Sequence, residues 1–162
     1  MVFSMTTHPT KYVCTYDSPI GKLYLAEQDG ALTDISYFPV GNAQEKQSAL
    51  LVRTVIMLDE YFSGQRKSFD LPLALKGTEF QQRAWKVLCD IPYGETRTYK
   101  QQAEALGNVK ACRAVGAANG KNPISIIVPC HRVIGANNKL VGYAGGMDVK
   151  MFLLELEKKY DT

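Results

Sequence analysis

Polar and apolar positions alternate through the first part of the chain, and from Gly77 onward the spacing becomes helical. From Tyr12 to Phe38 the pattern predicts strands joined by tight turns. Ser18-Pro19-Ile20-Gly21 reads as a turn, Lys22-Leu23-Tyr24-Leu25-Ala26 alternates, and Asp29-Gly30 is a strong hairpin signal followed by Leu32, Ile35 and Tyr37. The spacing then predicts a helix over 44–61, with Leu50, Leu51, Ile56, Leu58 and Tyr61 on the buried face, together with Val55, and Gly64 as its stop. Phe69-Asp70-Leu71-Pro72-Leu73 suits an edge strand or extended linker, because proline cannot donate to a central ladder. The N-terminal portion is thus expected to be a small sheet with a helix against it.

Beyond Gly77 the pattern predicts short helices. Thr78 caps the first, in which Phe80, Ala84, Val87 and Leu88 recur beside Trp85, and Ile91-Pro92-Tyr93-Gly94 ends it. Thr98 caps a second, running to Leu106 and closed by Gly107-Asn108, and a third covers about 110–118. Two helices around a short glycine turn make either a helix-turn-helix or an ordinary helical hairpin. In the third helix Ala111, Cys112, Ala114, Gly116, Ala117 and Ala118 are all small, and Arg113 stands almost alone among them. Such a face suits tight packing on another helix. It equally suits the DNA minor groove, about 6 Å wide, with one long arginine free to enter the base stack.

Composition narrows the class. At 162 residues, 46% apolar and 22% charged, the chain has the means to bury a proper core. Its start, residues 1–11, lacks the features of a secretory signal, and no apolar run approaches the ~20 residues that span a bilayer. A cytosolic protein is expected, or a nuclear one if the source has a nucleus, with no membrane partner. The cysteines at 14, 89, 112 and 130 lack paired spacing, which argues against a disulfide framework, and with only His8 and His131 present no metal site is expected. Residues 1–75 carry a net charge of −2 and residues 76–162 one of +5, so the second half suits a polyanion, although a solvated basic surface explains so small an excess as well.

The most informative stretch is Pro129-Cys130-His131-Arg132-Val133, directly after Ile124-Ser125-Ile126-Ile127-Val128. It sets a thiol beside an imidazole and a guanidinium. A free thiol titrates near about 8.5, so cationic neighbours or a hydrogen-bonded base are needed to raise its nucleophilic thiolate. By itself Cys130 also fits a small hydrophobe at a strand end.

Taken together, Phe80-Gln81, Trp85, Ile91-Pro92-Tyr93-Gly94, Tyr99, Arg113-Ala114-Val115-Gly116, Ala118-Asn119-Gly120, Asn122-Pro123, Pro129 to Val133 and Gly142-Tyr143-Ala144-Gly145-Gly146 resemble the O6-alkylguanine-DNA alkyltransferase family. The resemblance is densest over 77–157, and Pro19-Ile20-Gly21 with Asp29-Gly30 matches the family's N-terminal part more loosely. It implies an α+β fold. An RNase H-like antiparallel sheet domain, residues 1–75, packs on a helical domain, residues 76–162, that carries the helix-turn-helix.

The resemblance also implies a reaction. The alkyl group on O6 of guanine, with O4-alkylthymine a second candidate, passes irreversibly to the protein's own cysteine, once per molecule and with no cofactor. The expected partner is double-stranded DNA carrying the lesion, and the protein is expected to act as a monomer. Cys130 is then the nucleophile, His131 its base through a bound water, and Glu157 the carboxylate orienting the histidine, Glu155 being the alternative. Tyr99 would hydrogen-bond N3 of the leaving base, and Asn122 would act as the hinge fixing the sulfur.

For binding, the resemblance nominates Arg113 as the finger entering the duplex, on a face with Ala114, Gly116 and Ala117. The Ala144 backbone N–H would meet O6, the carbonyls of Cys130 and Val133 would read the exocyclic amine, Tyr143 would wall the pocket, and Lys150 falls in the matching C-terminal helix among the binding residues. Lys100, Lys110 and Lys121 are candidate phosphate contacts. Two positions depart from the family pattern: Ala144 where many relatives have serine, and Cys112 where a residue like alanine is usual. Two other readings remain, a lesion-binding relative that does not transfer the group, whose kind lacks the acceptor cysteine, and a cysteine hydrolase, which would recover its thiol after each cycle.

Overall fold

The structure, a computed structural model, describes residues 9–161; His8 and most of the N-terminal stretch searched for a signal lie outside them. Three strands, β1 (Lys11–Ser18), β2 (Gly21–Gln28) and β3 (Ala31–Ser36), form an antiparallel meander closed by the predicted turns. Asp29 and Gly30 both take positive φ, as a tight two-residue hairpin of this kind requires.

The expected wholly antiparallel sheet gains a parallel edge. Gln44–Glu45 forms β4 beside β1, giving the order β3-β2-β1-β4. The predicted helix over 44–61 therefore begins later, as α1 (Ala49–Phe62), where the Ser48 hydroxyl accepts the Leu51 N–H. Its buried face is Leu51, Thr54, Met57, Leu58 and Tyr61, while Ile56, expected inside, is exposed. Ile56 lies five positions after Leu51 and two before Leu58, roughly 140° and 160° round the helix from them, so it falls off the buried stripe.

The free edge of β3 is covered from two directions. Leu32 exchanges backbone hydrogen bonds with Pro72 and Ala74, and Ile35 with Pro123 and Ser125. The first segment is the proline-bearing extended stretch read from the sequence. The second ties the run leading to Cys130 directly onto the sheet.

The helical part follows the capping signals. Thr78 and Thr98 both close full capping boxes, with Gln81 and Gln101 reaching back, and open α2 (Glu79–Cys89) and α3 (Tyr99–Ala105). After Gly107, α4 (Cys112–Gly120) completes the helix-turn-helix. Arg97–Thr98 (β5) pairs in parallel with Val133–Ile134 (β6), and α5 (Met147–Tyr160) ends the fold.

One contiguous core runs from the sheet and α1 through Trp85 and Leu88 to Ile124, Val128, Val133 and Leu153, and a smaller cluster of Ala103, Ala111 and Val115 lies under the helix-turn-helix. Two buried polar links set the angle of α4. The Trp85 indole donates to the Ala118 carbonyl at 2.8 Å, and the Gln102 and Asn119 amides donate to each other at 2.9 and 2.8 Å. Among the described residues no helix is long and apolar enough to cross a membrane.

Candidate active site

Cys130 is reached by an irregular segment. The apolar run 124–128 suggested a strand, but it folds as successive turns in which Ile126 takes φ 74°, and Cys130–Arg132 is a short helical turn. Positive φ in a β-branched residue is strained and persists only where the surroundings impose it. Here Ile126 is buried in the core, and the flanking backbone is held by Ile35 on one side and by Asn122 on the other. Asn122 Nδ2 donates to the Val128 carbonyl at 2.7 Å and to Cys130 Sγ at 3.2 Å, while its Oδ1 accepts the Ile124 N–H at 3.0 Å. One side chain thus pins the end of α4, the turn and the sulfur together.

Behind the sulfur lies a buried polar network centred on Glu157. His131 is fully buried and its Nε2 lies 2.7 Å from Glu157 Oε2. A carboxylate can only accept, so Nε2 carries the proton and Nδ1 keeps its lone pair. Burial lowers the imidazole pKa, with Glu157 opposing, and the ring is neutral. Nδ1 has no hydrogen-bond partner among the described residues.

Glu157 collects further donors that the sequence reading missed. Arg132 gives it Nε at 2.7 Å and Nη2 at 3.0 Å, the Tyr61 hydroxyl donates at 2.6 Å, and the Gly94 N–H at 3.3 Å. The third Arg132 nitrogen, Nη1, donates to the Ile91 carbonyl at 2.6 Å. Burial alone would raise the Glu157 carboxyl, yet the hydrogen bonds from His131 and Arg132 and the Arg132 charge outweigh it and hold it well below the usual carboxylate range. With His131 neutral, Arg132 supplies the balancing charge. Glu155 is exposed, so Glu157 is the carboxylate at the site.

In front of the sulfur is a cleft of about 400 Å³ lined by Tyr99, Gly116, Asn119, Gly120, Cys130, Gly142, Tyr143 and Ala144. Cys130 itself is only 8% exposed. Burial pushes its thiol up, and the Asn122 amide, the Lys150 ammonium and Tyr143 pull it back. The free protein therefore holds a mostly protonated thiol beside a neutral base. Tyr99 keeps its proton too, since burial raises its hydroxyl.

The other expected binding residues divide. Arg113, Ala114 and Ala117 are exposed on one face of α4, with Gly116 turned toward the cleft, and Lys100, Lys110 and Lys121 are exposed around them. Cys112 Sγ turns back to the Val109 carbonyl at 3.7 Å.

Lys150 must be reassigned. It is fully buried and donates to the carbonyls of Val133 at 2.6 Å and Val141 at 2.9 Å, so its ammonium is engaged by the protein's own backbone. The helix lies under the 133–141 loop, and the ammonium ties that loop's two ends. Val133 is likewise fully buried, and both carbonyls expected to read the base already accept inside the protein: Cys130 from the Val133 N–H, Val133 from Lys150. Each keeps a second lone pair. Among the described residues no three His, Cys, Asp or Glu side chains converge as a metal would require.

Comparison with known proteins places this geometry among relatives. The family description "6-O-methylguanine DNA methyltransferase, DNA binding domain" matches residues 79–159, and "6-O-methylguanine DNA methyltransferase, ribonuclease-like domain" matches residues 11–75. A methylated-DNA–protein-cysteine methyltransferase of Methanosarcina acetivorans is 49% identical over 152 residues, covering 90% of this chain and 97% of that relative. One of Mycobacterium tuberculosis, strain H37Rv, is 51% identical over 149 residues, covering 89% and 90%. The crystal structure of Mycobacterium tuberculosis OGT in complex with DNA superposes with a TM-score of 0.88 at 49% identity, over 92% of this chain and 94% of that one.

Proposed function

The chain belongs to the 6-O-methylguanine DNA methyltransferase family, and from that premise we propose that Cys130 is the atom on which its repair chemistry ends. The protein repairs DNA by moving the alkyl group of O6-alkylguanine to one of its own cysteines. The observation that carries the choice of Cys130 is its position, at the floor of the cleft and backed by the His131–Glu157–Arg132 network. We place the boundary between the two parts at 75/76 and the protein's working site with the DNA, in the cytoplasm or a nucleus.

Each residue has one job in this reading. His131 takes the thiol proton at Nδ1 through a bound water, and Glu157 with Arg132 holds the ring in the tautomer that leaves Nδ1 free. The thiolate attacks the alkyl carbon in line; the S–C bond forms as the C–O6 bond breaks, and the electron pair passes into the purine. Tyr99 offers its proton toward N3 of that departing base, while Lys150 and Asn122 favour the anionic sulfur. The product thioether has no leaving group to restore the thiol, so each molecule acts once.

The lesion must leave the stack to reach an 8%-exposed sulfur. Arg113, on the small-residue face of α4, fills the gap as Ala114 and Ala117 approach the backbone. The test is intact mass after mixing with duplex DNA bearing one O6-methylguanine. One added methyl, mapped to Cys130 and lost in Cys130→Ala, is expected; repair by Cys130→Ala would overturn the assignment.

A further inference from the structure

Tyr37 belongs to the sheet half of the molecule, one residue beyond β3, yet its hydroxyl lies 2.6 Å from that of Tyr143 in the wall of the Cys130 cleft. The two rings meet edge to face at 5.7 Å. Gly145 packs against the same ring so closely that a Cβ there would lie 2.8 Å from it. The 142–146 loop is therefore latched to the sheet at one side chain. On the far side of the latch is a second groove of about 370 Å³, lined by Tyr37, Phe38, Gly145 and Val149 among others, with Ala144 shared between groove and cleft. Phe38, 63% exposed, gives that groove an apolar wall.

We propose that Tyr37 is a specificity-determining residue: by holding Tyr143 it closes the acceptor cleft against this groove and so sets the largest O6 substituent that the protein removes. The inference rests on Cys130 being the acceptor. A methyl group fits the closed cleft. A benzyl-sized group needs the space beyond Tyr143, which opens only when the hydroxyl pair lets go. Removing one such hydrogen bond shifts the open population by about fivefold.

The experiment measures second-order transfer rates for the full chain with two duplexes, one bearing O6-methylguanine and one O6-benzylguanine, with the adduct located by mass. Tyr37→Phe is expected to raise the benzyl-to-methyl rate ratio about fivefold. Tyr143→Phe, which removes the same bond from the other side, should raise it similarly, and the double variant no further than either alone. An unchanged ratio, a parallel fall of both rates with a lower Tm, or independent effects that multiply in the double variant would each overturn the gate. If the wild-type protein carried no alkyl group on Cys130 from either duplex, the acceptor assignment itself would fall and the gate with it.

Discussion

On the side of Cys130 that faces α5, five donors converge on the single carboxylate of Glu157, and every side chain involved is buried or nearly so. On the side that faces α4, the cleft is lined around Cys130 by three glycines, an alanine, two tyrosines and Asn119, and the sulfur meets the Asn122 amide. The two regions are within reach of the same atom but are built for different tasks. Proton chemistry needs groups whose protonation state is fixed before substrate arrives, and only a satisfied network in low dielectric fixes it. Receiving a nucleotide needs the reverse, a surface whose polar partners are still unclaimed. Damage behind the sulfur should therefore cost stability and chemistry together, whereas damage in front should cost chemistry alone.

Glu157→Gln strikes the first region hardest. It keeps the shape but leaves the Arg132 guanidinium buried without its counter-charge, which costs about 3–5 kcal/mol. Transfer to Cys130 should slow by about 100-fold or more, because the imidazole loses its fixed tautomer. The pH dependence sharpens the point. His131 is held neutral in the fold, so below about pH 6.5 the unfolded chain binds a proton that the folded one refuses, and stability falls. The Glu157 carboxyl is depressed in the fold, so its contribution is full above about pH 4.3 and is lost at more acid pH. Denaturant titrations from pH 8 to 3 should show both stages in the wild type and only the upper one in Glu157→Gln. A variant as stable as wild type, with the same acid limb, would mean that the network does not hold the site.

Arg113→Ala tests the second region. The side chain is exposed on α4, so its loss should change stability by less than about 0.5 kcal/mol. Repair of duplex O6-methylguanine should fall about tenfold, because unstacking the nucleotide goes uncompensated, while dealkylation of the free base should change little. Equal losses on both substrates would remove the finger role and blur the contrast between the regions.

What could be read from the sequence divides along a related line. Thr78, Thr98 and Asp29-Gly30 act on backbone groups two or three residues away, and each formed the cap or turn expected of it. His131 and Glu157 carried a family pattern and lie 2.7 Å apart in the fold. By contrast, Tyr61 and Arg132 reach Glu157 across 96 and 25 positions, and nothing local marks a tyrosine on an amphipathic helix as a donor to a distant carboxylate. Lys150 was legible as a member of the C-terminal helix, but its bonds to Val133 and Val141 were not, since only the loop packed over α5 turns the side chain inward. Ile126 is the limiting case, since positive φ in isoleucine follows from tertiary restraint and leaves no trace in the residue type. Tyr37 was legible as a strand-end aromatic and as nothing more.

The smallest predicted effect separates the regions most cleanly, because its two readouts move in opposite directions. Gly116 sits in the middle of α4 without a positive φ, and a Cβ there would meet the Tyr99 ring at 3.8 Å, an ordinary contact. Gly116→Ala should therefore stabilise the fold by about 0.5–1 kcal/mol through the helix and the unfolded chain, raising Tm by about 2 °C. The same methyl intrudes on the cleft in front of Cys130, where one carbon alters substrate discrimination by about 1 kcal/mol, so duplex repair should slow by about fivefold. Thermal unfolding and single-turnover rates on one preparation decide it. A helix that is firmer and a reaction that is slower require glycine at 116 to serve the substrate at the expense of the fold. If the rate held while Tm rose, the cleft would have room to spare beside Tyr99, and the small-residue face of α4 would need another explanation.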